Sequence, residues 1–382
     1  MCYHPFAPSL ALGASRNRGV CMFGEVRSIL QRQPSESNWE ELCQLVSEDW
    51  RRPGFEEDLL PYILSHLDEW PDSMRTTPLR WRDGLVRGAS LPFVEMVRVL
   101  DTTGMELKNE DMWTLAKSPV MRHITGLILR GNKIGWRGMN HLFEGEEAPA
   151  PHLRSLDLSD TAIGGEGVRL LARTDALPKL ESLSLEGLHL SGDAIDVLMS
   201  SETLVSLVAL DLGRNNLTAR HLDVMTQGAL FERIRVLCLD HNALGAQGGL
   251  RLARRASINH LTGLSLVRCN LPSPIVEALG RTPKPLSCQV LRLSHNAGLS
   301  ALGRLIHSEA LPSLRVLEVD GERAHKDDLL AAAGSEHLEN LEFLAVSPRM
   351  LDEELSRRAA ARGRLAMPAP VPVYNGLCRE WC

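Results

Sequence analysis

A frame of apolar residues recurs along this chain at a nearly fixed interval, and that interval limits the possible folds more than any other feature. From Leu207 to Leu217 the sequence reads Leu-Val-Ala-Leu-Asp-Leu-Gly-Arg-Asn-Asn-Leu, with leucine at positions one, four, six and eleven and Asn215 at nine. The frame returns from Ile124, Leu153, Leu180, Ile234 and Leu261, more loosely from Cys288 and Leu314, and closes with Leu341, Leu344 and Val346. From Leu153 onward the starts are 27 residues apart, with one interval of 26. A degenerate earlier copy reads Val97, Leu100, Met105 and Leu107, with Thr102 spoiling position six.

Positions four and six flank a single residue, the period of a strand with one buried face, and the stretch that follows has helical spacing, as in Val168, Leu171 and Ala172. Each unit is therefore a strand plus a helix. Ser191 and Thr218 are placed to accept from free amides at helix starts, and Pro151, Pro178 and Pro312 end the helices before the next frame. A unit this short cannot bury its own leucines, so neighbours must stack. The outcome is an α/β solenoid with nine parallel strands on its concave side, about 38 Å along, and helices on its convex side. The asparagine at position nine is expected to bond backbone groups at the inward turn. Leu188 cannot do so, which predicts a different turn or a trapped water there.

These residues resemble the leucine-rich repeat family, and the 27-residue strand-helix unit is similar to its ribonuclease-inhibitor-like subfamily. The resemblance implies a right-handed solenoid and protein binding on the concave face and its rim. Some relatives activate small GTPases or act as adaptors for ubiquitin ligases, but no motif carries either role to residues here.

Outside the frame the chain divides by composition. Residues 1–22 read as a disordered leader without a secretory signal, because Arg16 and Arg18 follow its apolar stretch instead of preceding it. Residues 23–92 hold Trp39, Trp50, Trp70 and Trp81 and read as a helical cap over the first strand. Capping-box spacing occurs at Ser37 with Glu40 or Asn38 with Glu41, and Pro61 opens a helix. Trp70-Pro71-Asp72 and Arg80-Trp81 with Leu85 to Gly88 resemble the region preceding the repeats in some bacterial members of the family. The solenoid spans 93–347, a capping helix 348–366 places Leu351, Leu355 and Ala359 on one face, and a mobile tail occupies 367–382.

The net charge of −6 argues against a nucleic-acid partner, and no apolar run approaches membrane-spanning length. Cys43, Cys269 and Cys288 read as buried thiols, while Cys378 and Cys382 lie four apart in the tail; scattered cysteines suit a reducing cytoplasm. Positions five, seven and eight of each frame face out of the concave sheet or lie on its rim. They supply the candidate partner contacts Asp157, Glu186, Asp211, Arg214, Asp240, His241, Arg268 and Arg292. The expectation is a monomeric, non-catalytic scaffold for a protein partner, with no cofactor and no metal. The alternatives are a regulatory adaptor, or an enzyme using Asp211 and Asp240 as paired carboxylates with His241 as base. The glycines at Gly135, Gly164 and Gly245 recur in register, so they mark helix-entry turns and not a phosphate loop.

Overall fold

Among the described residues, eleven short parallel strands run side by side in chain order, each joined to the next through an outer helical segment. The computed structural model describes residues 19–143, 149–254, 258–281, 285–321 and 323–368. Most of the leader and the tail from residue 369, with Cys378 and Cys382, lie outside the described residues.

The strands are β1 (Val99–Asp101), β2 (Gly126–Ile128), β3 (Ser155–Asp157), β4 (Ser182–Ser184), β5 (Ala209–Asp211), β6 (Val236–Cys238), β7 (Gly263–Ser265), β8 (Val290–Arg292), β9 (Val316–Val319), β10 (Phe343–Val346) and β11 (Leu365–Pro368). Their register places the position-four leucines opposite one another, from Leu100 against Leu127 through Leu183 against Leu210 to Leu317 against Leu344. Leu207, Leu210, Leu212 and Leu217 are all buried. The helices cover the other side of this leucine core, giving a right-handed leucine-rich repeat solenoid with the sheet concave and the helices convex.

Two strands go beyond the nine expected. β1 is the degenerate copy, and Thr102 is fully buried there because its hydroxyl donates to Ile128 O (2.8 Å) and accepts from Asn132 Nδ2 (3.1 Å). β11 follows the C-terminal helix, which is shorter than expected at Glu353–Ala360 and capped by Asp352, whose carboxylate accepts from Leu355 N (2.9 Å). Leu355 and Ala359 are buried, so that helix sits on the convex side like the others, and the chain returns to the sheet after it. Met367 and Pro368, expected at the start of the tail, belong to this last strand. Arg364 makes the return possible by donating to the carbonyls of Ala332, Ala333 and Ser335 at 2.8 Å and of Leu338 at 2.5 Å.

The asparagines each serve the preceding repeat. Asn242 Oδ1 accepts from Asn215 N (3.0 Å) and Leu217 N (2.8 Å), while its Nδ2 donates to Leu212 O and Leu239 O, both at 2.9 Å. Asn215 and Asn296 repeat the pattern. The turn at Leu188 is therefore held normally, by Asn215, and the consequence of the leucine falls one repeat earlier. There Thr161 turns its hydroxyl onto Leu158 O (2.6 Å) and Ala162 N goes to Ile134 O (2.9 Å). Cys269 substitutes by donating its thiol to Leu239 O (3.1 Å) but offers no equivalent acceptor, and Leu244 N closes on Asn242 O (2.8 Å) instead.

Among the described residues, four α-helices precede β1: α1 (Gly19–Leu30), α2 (Glu36–Asp49), α3 (Leu60–Leu67) and α4 (Leu79–Val86). The cap of α2 is Ser35, whose Oγ accepts from Asn38 N (3.2 Å), two to three residues before the expected boxes. Pro61 stands in the first turn of α3, where its missing N–H costs no helical bond. Trp39, Trp70 and Trp81 are buried, and the indole N–H groups of Trp39 and Trp81 donate to Thr76 O (2.7 Å) and Ser47 Oγ (2.8 Å). Thr76 forms a parallel bridge with Val99, so these helices continue the sheet's edge.

Candidate functional site

The concave face is built from the residues at position five, in the strands, and at positions seven and eight just beyond them. Position eight has a common backbone requirement. Its N–H extends the ladder to the next repeat, as in Arg214 N to Asp240 O (2.8 Å), His241 N to Val267 O (2.8 Å) and Arg268 N to Ser294 O (3.0 Å). The chain then leaves the strand through the left-handed region. Gly104, Gly131 and Gly187 meet this with φ of 76°, 70° and 73°, whereas Asp160, Arg214, His241, Arg268 and His295 hold φ between 53° and 60°. These five side chains are exposed and form a rim.

The floor beside that rim is polar and closely bonded. Asp157 is only 2% exposed and accepts from Ser159 N (2.8 Å), so it supports the face from within instead of presenting a free carboxylate. Arg130 Nη2 bridges Asp160 (3.0 Å) and Glu186 (2.7 Å), and Arg214 approaches the same two carboxylates at 3.5 and 3.7 Å. At the other end Arg292 grips Glu318 (2.8 Å) and approaches Asp240 at 3.7 Å. Asp240 also accepts from Ser265 Oγ (2.6 Å) and Val267 N (2.8 Å). Arg130, Ser265 and Glu318, which occupy the outward frame positions but are not among the eight candidate contacts, thus join the site. Their positions in the frame, seven and five, are the signal that points to them.

Asp211 lies between the two networks. Glu186 and Asp211 both approach the bare Gly213, where a Cβ would come within 3.4 Å of Glu186 Cγ and 3.1 Å of Asp211 Oδ1. Burial pushes the Asp211 carboxyl up to about 7, with Glu186 and Asp240 adding like charge and the Gly213 N–H and Cys238 side chain opposing the shift. Burial likewise raises Asp157 and Asp240, with Arg292 pulling Asp240 back.

A folded state that holds this proton more tightly than the unfolded chain is penalised when Asp211 ionises. The penalty is absent below the ordinary carboxylate value of 3.8, grows through the interval to about 7, and is complete above it. Asp211→Asn should therefore stabilise the protein at pH 8, by about 2–4 kcal/mol. The gain should shrink to nothing as the pH is lowered to 4. Urea unfolding of both proteins across this range checks it, and a difference independent of pH would contradict the assignment.

His241 stands on the rim, and among the described residues no three His, Cys, Asp or Glu side chains gather as metal ligands. Cys43, Cys269 and Cys288 are buried thiols, and burial pushes Cys269 and Cys288 up to about 12, which leaves them un-ionised and unreactive at neutral pH. Among the described residues no helix is long and apolar enough to cross a membrane.

Residues 150–172, which run from the start of the Leu153 frame through its outer helix, match the family model described as Leucine Rich repeat. No curated protein sequence matches the chain. Among solved structures, the chain is similar to one from the crystal structure of the Rad7 and Elc1 complex in yeast, at 16% identity over 96% of this chain and 98% of that one, with a TM-score of 0.39. It is also similar to one from the crystal structure of a TLR13–ssRNA13 complex, at 16% identity and a TM-score of 0.31, covering 67% of this chain and 44% of that one.

Proposed function

We propose that this protein is a non-catalytic scaffold that binds a protein partner on the concave face of the repeats starting from Leu207 to Cys288. Arg214, His241 and Arg268 are the rim contacts, and Asp211, Asp240 and Arg292, with Glu186 from the preceding repeat, form the floor behind them. Asp157 acts from beneath. The proposal extends to a cytoplasmic monomer of ribonuclease-inhibitor-like type from a bacterial source, with residues 23–92 as its cap and no nucleic-acid partner.

The observation that carries it is the backbone at position eight. Left-handed φ costs an L-residue roughly 1–2 kcal/mol, and three other repeats place glycine at this point. Asp and His tolerate the region better than most, but arginine has no such dispensation. Arg214 and Arg268 keep long charged side chains on the rim where glycine would relieve strain, the pattern expected when a side chain is retained for function. The floor is already ordered by hydrogen bonds within the chain, so a partner meets charges whose positions are fixed before it arrives.

The double variant Arg214→Gly with Arg268→Gly tests the proposal. Stability should stay within about 1 kcal/mol of the parent, because relief of strain offsets lost surface ion pairs. Association of a partner recovered by affinity capture should slow by roughly tenfold and lose part of its salt dependence. A partner that binds the double variant at the parent rate contacts another surface. A turnover activity removed by Asp240→Asn would replace the scaffold with the enzyme reading.

A further inference from the structure

On the opposite edge of the sheet, where the strands begin, the junction between the N-terminal helices and the first repeats forms an open, solvent-facing cavity of about 520 Å³. Its lining includes four permanent cations, Arg98, Arg122, Arg154 and Lys179, two histidines, His123 and His152, and one carboxylate, Asp72. The residues come from four successive frames, each contributing a basic group at or just before its strand. Across three strand spacings they cover about 14 Å.

Among the described residues, only two of these four cations pair with carboxylates. Arg98 is anchored by donating to Glu95 O and His123 O, both at 3.1 Å, with Asp72 at 3.8 Å. Arg154 is paired to Glu181 at 2.6 Å. Arg122 and Lys179, both exposed, form no ion pair with a described carboxylate, and Lys179 Nζ stands 3.4 Å from His152 Nδ1. Burial lowers the His123 imidazole, Glu95 opposes this, and Arg98, Arg122 and His152 lower it further, which shows how crowded with positive charge the cavity is. In a chain of net charge −6, such a concentration of like charge is unfavourable without a counter-anion.

We propose that this cavity binds a phosphate monoester group. A dianion matches guanidinium and ammonium groups gathered along one cavity, and arginine forks suit its oxygens in pairs. The cavity is larger than bare phosphate and within the usual range for small-molecule sites, so the group arrives on a larger molecule. The basic row breaks after Lys179: the next frame has Ser206 and Val208 at the equivalent places, Glu181 closes the end, and Arg233 and Arg235 of the frame beyond are turned onto backbone carbonyls. A confined cluster favours one terminal phosphate over the repeated diesters of a nucleic acid, which would need the row to continue.

The test is calorimetric titration of the full chain at constant ionic strength. The probes are inorganic phosphate, sulfate, phosphoserine, a phosphoserine peptide and its unphosphorylated form, glucose 6-phosphate, and a single-stranded oligonucleotide without terminal phosphate. The parent should bind the phosphate monoesters, with sulfate and the unphosphorylated peptide at least about tenfold weaker, and Arg122→Gln with Lys179→Gln should cost at least about tenfold. Both substituted residues are exposed, and unchanged thermal unfolding establishes that the variant is folded. A peptide bound more tightly than glucose 6-phosphate identifies a phosphorylated protein as the source, and the reverse order identifies a small phosphate ester. Equal binding of sulfate, a variant that binds like the parent, or an oligonucleotide that binds more tightly than every monoester would overturn the proposal.

Discussion

Asn242→Ala should lower the stability of this protein by about 3–5 kcal/mol, more than most single substitutions. The side chain is fully buried and bonds two amides of the preceding repeat and two carbonyls at about 2.9 Å. Truncation strands all of these groups in a place water does not reach, and each orphaned group costs roughly 1–3 kcal/mol before the turn relaxes. Denaturant unfolding should show a lower midpoint. Asn242→Asp should recover part of the loss, since its oxygen can still accept from Asn215 N and Leu217 N. A loss under about 1 kcal/mol would mean that the turn holds its shape without the amide.

Deleting residues 1–92 should remove the soluble monomer altogether. Thr77 N and Thr77 Oγ1 both donate to Val99 O, at 2.8 and 2.9 Å, and Arg98 N and Val99 N donate to Arg75 O. The buried guanidinium of Arg75 ties Met96 O, Leu67 O and Glu95 O together. Cutting these bonds exposes the ladder groups of β1 together with Met96, Val97 and Leu100, an open apolar edge that pairs readily with another chain. Size-exclusion chromatography should find aggregates or no soluble product. A truncated chain that remains monomeric with an unchanged unfolding midpoint would make the N-terminal helices an independent unit.

The leucine positions make nine of the eleven strands legible, because a buried period-two pair repeated at constant spacing is compatible with few folds besides a stacked solenoid. β1 is harder to read because Thr102 replaces a leucine, and its burial depends on partners at Ile128 and Asn132 that only the folded register supplies. β11 escapes the pattern because Leu365 is 54% exposed and Ala366 pairs with Leu344, so no apolar frame announces it. On the concave face, sequence spacing puts Asp157 and Asp211 in equivalent positions. Yet Asp157 is buried and Asp211 only half-buried, a difference that a single frame does not contain. The left-handed turns are partly visible in the glycines at 104, 131 and 187, yet nothing in one sequence marks Arg214 or Arg268 as sharing that backbone.

The direction and gaps of the asparagine bonding bear on how the stack comes apart. Each such bond ties a repeat to the one before it, so Asn132, Asn215, Asn242 and Asn296 weld specific neighbours together, while, from the Ile124 repeat through the Cys288 repeat, Thr161, Leu188 and Cys269 leave three joints without the full clasp. In a one-dimensional array the weakest nearest-neighbour couplings set where cooperativity breaks. Under heat or tension the molecule is thus a row of blocks, the middle one running from the Leu180 repeat through the Ile234 repeat. Its partly opened forms should be block-sized, separating at the Thr161, Leu188 and Cys269 joints before any repeat inside a block lets go.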